Sequence, residues 1–262
     1  MRILLTNDDG ILAPGLAAMR RELCGLGDVT VVAPESPQSA SGHAITVGDA
    51  IIARQVHVNE EFYGHSVLGR PADCVKLAVR ELLDARPDLV VSGINAGANV
   101  GINVLYSGTV AAAAEAAFYR LPSVAVSLDC QAELDFIRAA GIARQVISGL
   151  IQAGLKPGWL INVNLPALDG CQPRGVRVVR QSTQVMHERF EKADDPHGRT
   201  YFWLTGEFAD EGEPDTDLRA LSEGYVAITP LRIDMTRDDG LDVMRAWQWP
   251  AIDGTPRDAS GG

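Results

Sequence analysis

Two aspartates stand side by side in Asn7-Asp8-Asp9-Gly10. Adjacent carboxylates repel each other unless something offsets the charge. A divalent cation does so, and hard cations take oxygen ligands. Ser39 and Asn95 could complete a partial oxygen shell and leave positions for water and substrate. The competing reading is that Asp8 and Asp9 form a turn and cap the following helix, since Asp-Gly turns are common. Ser107-Gly108-Thr109 stands just before an Ala-rich stretch. Backbone N–H groups at such a helix start, with hydroxyls beside them, form an anion cradle. A plain helix cap at Ser107 or Thr109 explains the same residues. Cradle and metal ligands lie on separate loops, so Gly108→Val is expected to block phosphate and spare the metal. Of five histidines, only His43 falls in a candidate site loop. An imidazole suits proton transfer near neutral pH; a solvated loop histidine is the alternative.

These residues need elements that bring them together. Arg2 to Asn7 reads as a first strand. Pro14 to Gly25 reads as a helix, with Leu16, Met19, Leu23 and Leu26 at helical spacing, and Asp28 to Pro34 as a second strand. Strand, helix, strand within 34 residues predicts a parallel βαβ unit. Ile51 to Val58 reads as a strand in a hairpin-like excursion, and Ala72 to Leu83 as a helix. Asp88 to Ser92 is a third core strand, Thr109 to Tyr119 a helix, and Ser123 to Ser127 a strand. Ala132 to Gly154 is a long helix, and Trp159 to Val163 the last core strand. Open parallel sheets bind ligands at the carboxyl ends of their strands. The polar clusters after the first three core strands, together with Tyr106 to Thr109, should therefore meet at one sheet edge.

The expected fold class is α/β: a Rossmann-like, largely parallel sheet flanked by helices, with a β-rich C-terminal arm. Residues 1–168 form the catalytic core. Residues 169–252 form a β-rich oligomerisation arm that returns to the core, with strands at Gly175 to Arg180 and Tyr225 to Thr229. Residues 253–262 are a polar tail expected to be disordered.

Composition excludes several functions. The net charge is −11, with 23 Lys and Arg against 34 Asp and Glu, so a polymeric nucleic acid held by charge is excluded. A small anion remains possible, because one bound cation can reverse the local field. Gly93, Gly97 and Gly101 fit neither the GxGxxG fingerprint nor the P-loop, and there is no GxSxG elbow. Adjacent acids also differ from an Asp-x-Asp phosphatase arrangement, which favours a metal-activated water over a phospho-aspartate. No window approaches the ~20 apolar residues of a membrane span. Cys24, Cys74, Cys130 and Cys171 form no CxxC pair and read as thiols of a reducing compartment, so a cytoplasmic location is expected.

The chain resembles the survival protein E family of 5'-nucleotidases. The resemblance rests on ILLTNDDG, VVAPESPQS, GRPADCVKLA, PDLVVSGINAGANVG, YSGTVAAAAEA, LPSVAVS, INVNLP and TDLRALSEGYVAITPL, from Arg2 to about Thr236. It implies one divalent metal per subunit, Mg²⁺ or Mn²⁺, held by Asp8, Asp9, Ser39 and Asn95. It implies nucleoside 5'- or 3'-monophosphate substrates, with short polyphosphate in some relatives. It also implies an arm exchanged within a homodimer or homotetramer. On this reading Asp8, Asp9 and His43 are the catalytic candidates, and Asn95, Ser107, Gly108 and Thr109 the phosphate-side ones. A metal-dependent nucleotide-binding or sensing protein is the alternative. Ala40 stands where many relatives carry Gly, and Arg70 where Thr is usual in GTPADCV.

Overall fold

The computed structural model describes residues 1–131, 133–170, 172–184, 186–208 and 212–250. A nine-stranded sheet forms its centre. Six strands run parallel: β1 (Arg2–Thr6), β2 (Asp28–Pro34), β4 (Glu61–Leu68), β5 (Leu89–Ala96), β6 (Ser123–Leu128) and β7 (Leu160–Leu165). β3 (Ile52–Val58) lies antiparallel on β4 at one edge. Beyond β7 come β11 (Val226–Leu231), antiparallel, and β8 (Val176–Val178), giving the order β3-β4-β2-β1-β5-β6-β7-β11-β8.

Alternation along β1 shows why both faces must be covered. Ile3 and Leu5 enter one core with Leu16 and Met19 of α1 (Pro14–Leu23) and with Ala140 and Ile147 of α5 (Phe136–Gln152). Leu4 points the other way. It packs with Cys74 and Val75 of α2 (Pro71–Leu77) and with Ala112 and Ala116 of α4 (Gly108–Phe118). The small side chains of α4 let it lie buried along its length from Gly108 to Ala117.

Several elements differ from the sequence pattern. The helix expected over Ala72 to Leu83 is α at first and then widens into a π-helical turn, Ala78–Leu82. The one expected over Ala132 to Gly154 starts at Phe136, where the Asp135 side chain accepts a hydrogen bond from the Arg138 N–H at 3.0 Å; Ala132 lies outside the described residues. β5 continues past Ser92 through Gly93. There a side chain would meet the Val126 carbonyl oxygen at 2.2 Å and φ is +135°. Only glycine lets β5 lie that close to β6 while its register shifts between Ser92 and Asn95. Glycine reads as loop, which hides the extension.

In the C-terminal part, β9 (Met186–Asp194) and β10 (Thr200–Phe208) form a separate two-stranded ladder. β8 and β11 join the main sheet instead. Three short helices were not legible as periodic runs: α3 (Asn103–Tyr106), α6 (Asp217–Ser222) and α7 (Asp238–Arg245). The tail from 253 onward lies outside the described residues. Among those described, no helix is long and apolar enough to cross a membrane.

Candidate active site at the carboxyl edge of the sheet

Four sequence-distant segments meet where β1, β2 and β5 end. Gly10, at φ +102°, turns the chain after β1. The Asn7 side-chain amide donates to the Gly10 carbonyl at 2.9 Å, and the Ile11 N–H to the Pro34 carbonyl at 2.8 Å. Asp8 and Asp9 thus sit at the bend after β1, yet neither caps α1. The cap of α1 is Ala13, which makes no side-chain bond.

Both carboxylates instead reach the other segments. The Thr109 hydroxyl donates to Asp8 Oδ1. The Ala96 N–H, at the end of β5, lies 3.4 Å from Asp9 Oδ2. The Gln38 N–H donates to the Asp8 carbonyl at 2.8 Å, which brings the Ser39 segment alongside. Asn95 donates its amide to the Gly97 carbonyl at 2.8 Å, leaving Oδ1 as the side chain's free acceptor. Ser107 caps α4, accepting from the Val110 N–H at 3.0 Å, so the plain reading holds for that hydroxyl. Gly108 is pressed against Asp8: a side chain there would come within 2.8 Å of Asp8 Cβ and 2.9 Å of Asp8 Oδ2. The start of α4 and the acid pair are one packed unit, against the expectation that a side chain at Gly108 would leave the acids undisturbed.

Electrostatics sharpen the picture. Asp8 is only 5% exposed. Burial pushes its carboxyl above the usual range, the Thr109 hydroxyl pulls it back, and neighbouring Asp9 pushes it up again. Burial also raises Asp9, against the pull of the Ala96 N–H. Among the described residues no cationic side chain acts on either acid. Nor does any group of three or more His, Cys, Asp and Glu converge among them. A cation at this edge must therefore rely on two carboxylates and neutral oxygens, a donor set that suits a hard ion.

The Gly97–Gly101 segment is locked from beneath. The Asn99 N–H donates to Asn164 Oδ1 at 2.8 Å, and its side-chain amide to Ser127 Oγ at 2.8 Å. Asn162 and Asn164 donate back to the Asn99 carbonyl at 2.8 and 3.2 Å. The alternation in INVNLP therefore supports a loop. Asn99→Leu keeps the backbone bonds but removes the amide donor to the buried Ser127 hydroxyl, at a cost of about 1–3 kcal/mol. Thermal unfolding should record a lowered Tm.

His43 is held elsewhere. Its Nε2 lies 2.9 Å from Glu115 Oε2, and Lys76 donates to Glu115 Oε1 at 2.7 Å. Glu115 is roughly 9 Å along α4 from Thr109, at 1.5 Å per residue. Sequence reasoning missed Glu115 and Lys76. The available signal was a single acid in an otherwise apolar Ala-rich run. It also missed Asp73, 1% exposed, which accepts from the N–H and hydroxyl of Thr46 and from the Arg70 N–H. The guanidinium of Arg70 lies 2.5 Å from Gln38 Oε1, at the margin of the Ser39 segment.

Comparison with known proteins identifies the family. Residues 3–188 match the family described as Survival protein SurE. A protein named 5'-nucleotidase SurE from Syntrophobacter fumaroxidans is 47% identical over 248 residues, covering 94% of this chain and 99% of the relative. One of the same name from Rhodopirellula baltica is 47% identical over 249 residues, covering 94% and 98%. The crystal structure of the SurE protein from Aquifex aeolicus superposes with a TM-score of 0.83 at 36% identity, covering 94% of this chain and 98% of that one.

Proposed function

From the premise that this chain belongs to the survival protein SurE family, we propose that it is a divalent-metal-dependent nucleotidase whose site is the Asp8–Asp9 edge. It is a 5'-nucleotidase, the activity that its relatives are named for. The observation that carries the site is the packing of Gly108 and Thr109 onto Asp8. It joins an acid pair, with no cationic partner among the described residues, to the start of α4, where the Thr109 N–H and hydroxyl both turn to Asp8 and Ser107 takes the Val110 N–H, leaving the Gly108 N–H to face a ligand.

Asp8, Asp9, Ser39 and Asn95 would hold one Mg²⁺ or Mn²⁺ ion. The fit rests on a buried Asp8 and a half-buried Asp9 that no cationic side chain compensates among the described residues, and on an Asn95 Oδ1 that accepts no hydrogen bond from them. Bound there, a hard cation supplies Lewis-acid polarisation of a phosphoryl group and activation of water. The residues do the rest. The Thr109 hydroxyl fixes the Asp8 carboxylate, and the Ala96 N–H orients Asp9. The Gly108 N–H at the start of α4 stabilises charge on a phosphoryl oxygen, and the missing side chain there allows close approach. Asp8 or Asp9 orients the attacking water.

The substrates we assign are nucleoside 5'-monophosphates, with 3'-monophosphates and short polyphosphate as further ones. The separate β9–β10 ladder exposes Phe190, Phe202, Trp203 and Leu204, which suits burial in a homodimer or homotetramer. The free thiols of Cys24, Cys74 and Cys130 suit the cytoplasm. A phosphate-release panel of 5'- and 3'-monophosphates and short polyphosphate, each with Mg²⁺ or Mn²⁺, tests the reading. Release is expected from 5'-monophosphates with either ion and none with a chelator. Metal-dependent nucleotide binding without release would instead indicate a sensing protein.

A further inference from the structure

Residues 35–51 between β2 and β3 contain no helix or strand. Among the segment's larger apolar side chains Ile51, at its end, packs against the core, but Ile45 and Val47 are 47% and 78% exposed and do not anchor it. Ala40 adopts φ +53°, an unfavourable region for a residue with a Cβ. Polar ties must therefore hold the segment in place. The Gln38 N–H reaches the Asp8 carbonyl at 2.8 Å, and the Gly42 N–H reaches the Tyr106 carbonyl at 2.9 Å. His43 meets Glu115, and Thr46 meets Asp73 through a 2.6 Å hydroxyl bond and two 3.1 Å amide contacts. Ser39 lies between these ties.

The two acids would be costly where they stand without partners. Burying a carboxylate is unfavourable unless it is paired and hydrogen-bonded. Lys76 pairs one oxygen of Glu115 and leaves the other for His43. Asp73 and Lys76 are three residues apart on α2, so they share a helix face.

We propose that Asp73 and Glu115 are positioning residues that fasten the 38–46 loop over the site and set the reach of Ser39 towards the bound cation. His43 is then the loop's anchor to α4, not the acid that protonates the leaving oxygen. The inference rests on the reading of Ser39 as an oxygen ligand.

The test compares the full chain with His43→Ala, Glu115→Ala, Thr46→Val, Ser39→Ala and the His43→Ala/Ser39→Ala double variant. Asp73 also caps α2, so Thr46→Val probes its tie without risking the fold. Amide hydrogen exchange across residues 36–46 and calorimetric titration with Mn²⁺ are the readouts. Exchange in the loop should speed up in His43→Ala, Glu115→Ala and Thr46→Val while Tm holds. Mn²⁺ affinity should fall about tenfold, the scale of losing a supporting contact to a ligand. In the Ser39→Ala background, His43→Ala should weaken Mn²⁺ no further, because both act through one group.

Unchanged loop exchange, or equal losses of affinity in both backgrounds, overturns the inference. So does slower turnover by His43→Ala at saturating Mn²⁺ with loop and affinity intact, which would make His43 a catalytic residue. If Ser39→Ala binds Mn²⁺ normally while Asp8→Asn does not, Ser39 is no ligand and only the inference falls. If Asp8→Asn also binds normally, the site reading itself has failed.

Discussion

Gly108→Val is expected to lose phosphate release and Mn²⁺ binding together. Any side chain at this position starts 2.8 Å from Asp8 Cβ and 3.0 Å from Pro71 Cγ. Atoms cannot sit that close, so Asp8 must move, and its bond to the Thr109 hydroxyl moves with it. The added bulk also closes the helix start to a phosphate. Losing one donor to developing charge costs roughly 3 kcal/mol, about a hundredfold in rate. A displaced carboxylate ligand adds to that. Overpacking of a tight core contact costs about 1–3 kcal/mol more in stability. Sequential calorimetric titration with Mn²⁺ and then inorganic phosphate, beside a turnover assay, reads both losses. Normal Mn²⁺ binding with phosphate binding alone removed would show that cradle and acid pair are separable, contrary to their packing.

Asp8→Asn is expected to abolish turnover and yet raise the Tm of the metal-free protein. The folded carboxyl of Asp8 is pushed above its unfolded value, first by burial. A raised carboxylate pKa makes the ionised form the costly one in the fold. Stability is then greatest below the unfolded pKa and declines as pH rises through the folded one. At pH 7, above the unfolded value, the metal-free protein bears this cost, and asparagine removes it while still accepting from Thr109. For a chain of this length, each kcal/mol relieved raises Tm by about 2–4 °C. Added Mn²⁺ should reverse the order, because it binds the wild-type fold and lifts its Tm by mass action. Differential scanning calorimetry at pH 7, with and without Mn²⁺, checks this. A variant less stable than wild type in chelator would mean that Asp8 is satisfied without a cation.

How far the sequence reaches is clearest at particular residues. The βαβ start and the polar ends of β1, β2 and β5 are local patterns, and the rule for parallel sheets converts them into one site. Asp8, Asn95 and Thr109 were legible for that reason. Glu115 was not, because its role depends on a loop 72 residues away that no periodicity links to it. The extension of β5 through Gly93 was hidden because close approach to Val126 is a property of the neighbouring strand. β8 and β11 read as parts of an arm. β11 joins the main sheet by pairing with β7, and β8 by pairing with β11, which local residues do not encode. His43 was selected for its side-chain chemistry, and the structure turns its Nε2 to Glu115.

The most direct test is phosphate release from AMP by chelator-treated protein before and after Mn²⁺ is restored, with Asp9→Asn measured in parallel. The account predicts background release in chelator, recovery of turnover with Mn²⁺, and no recovery in Asp9→Asn. Full turnover in chelator, or wild-type turnover by Asp9→Asn, would contradict it.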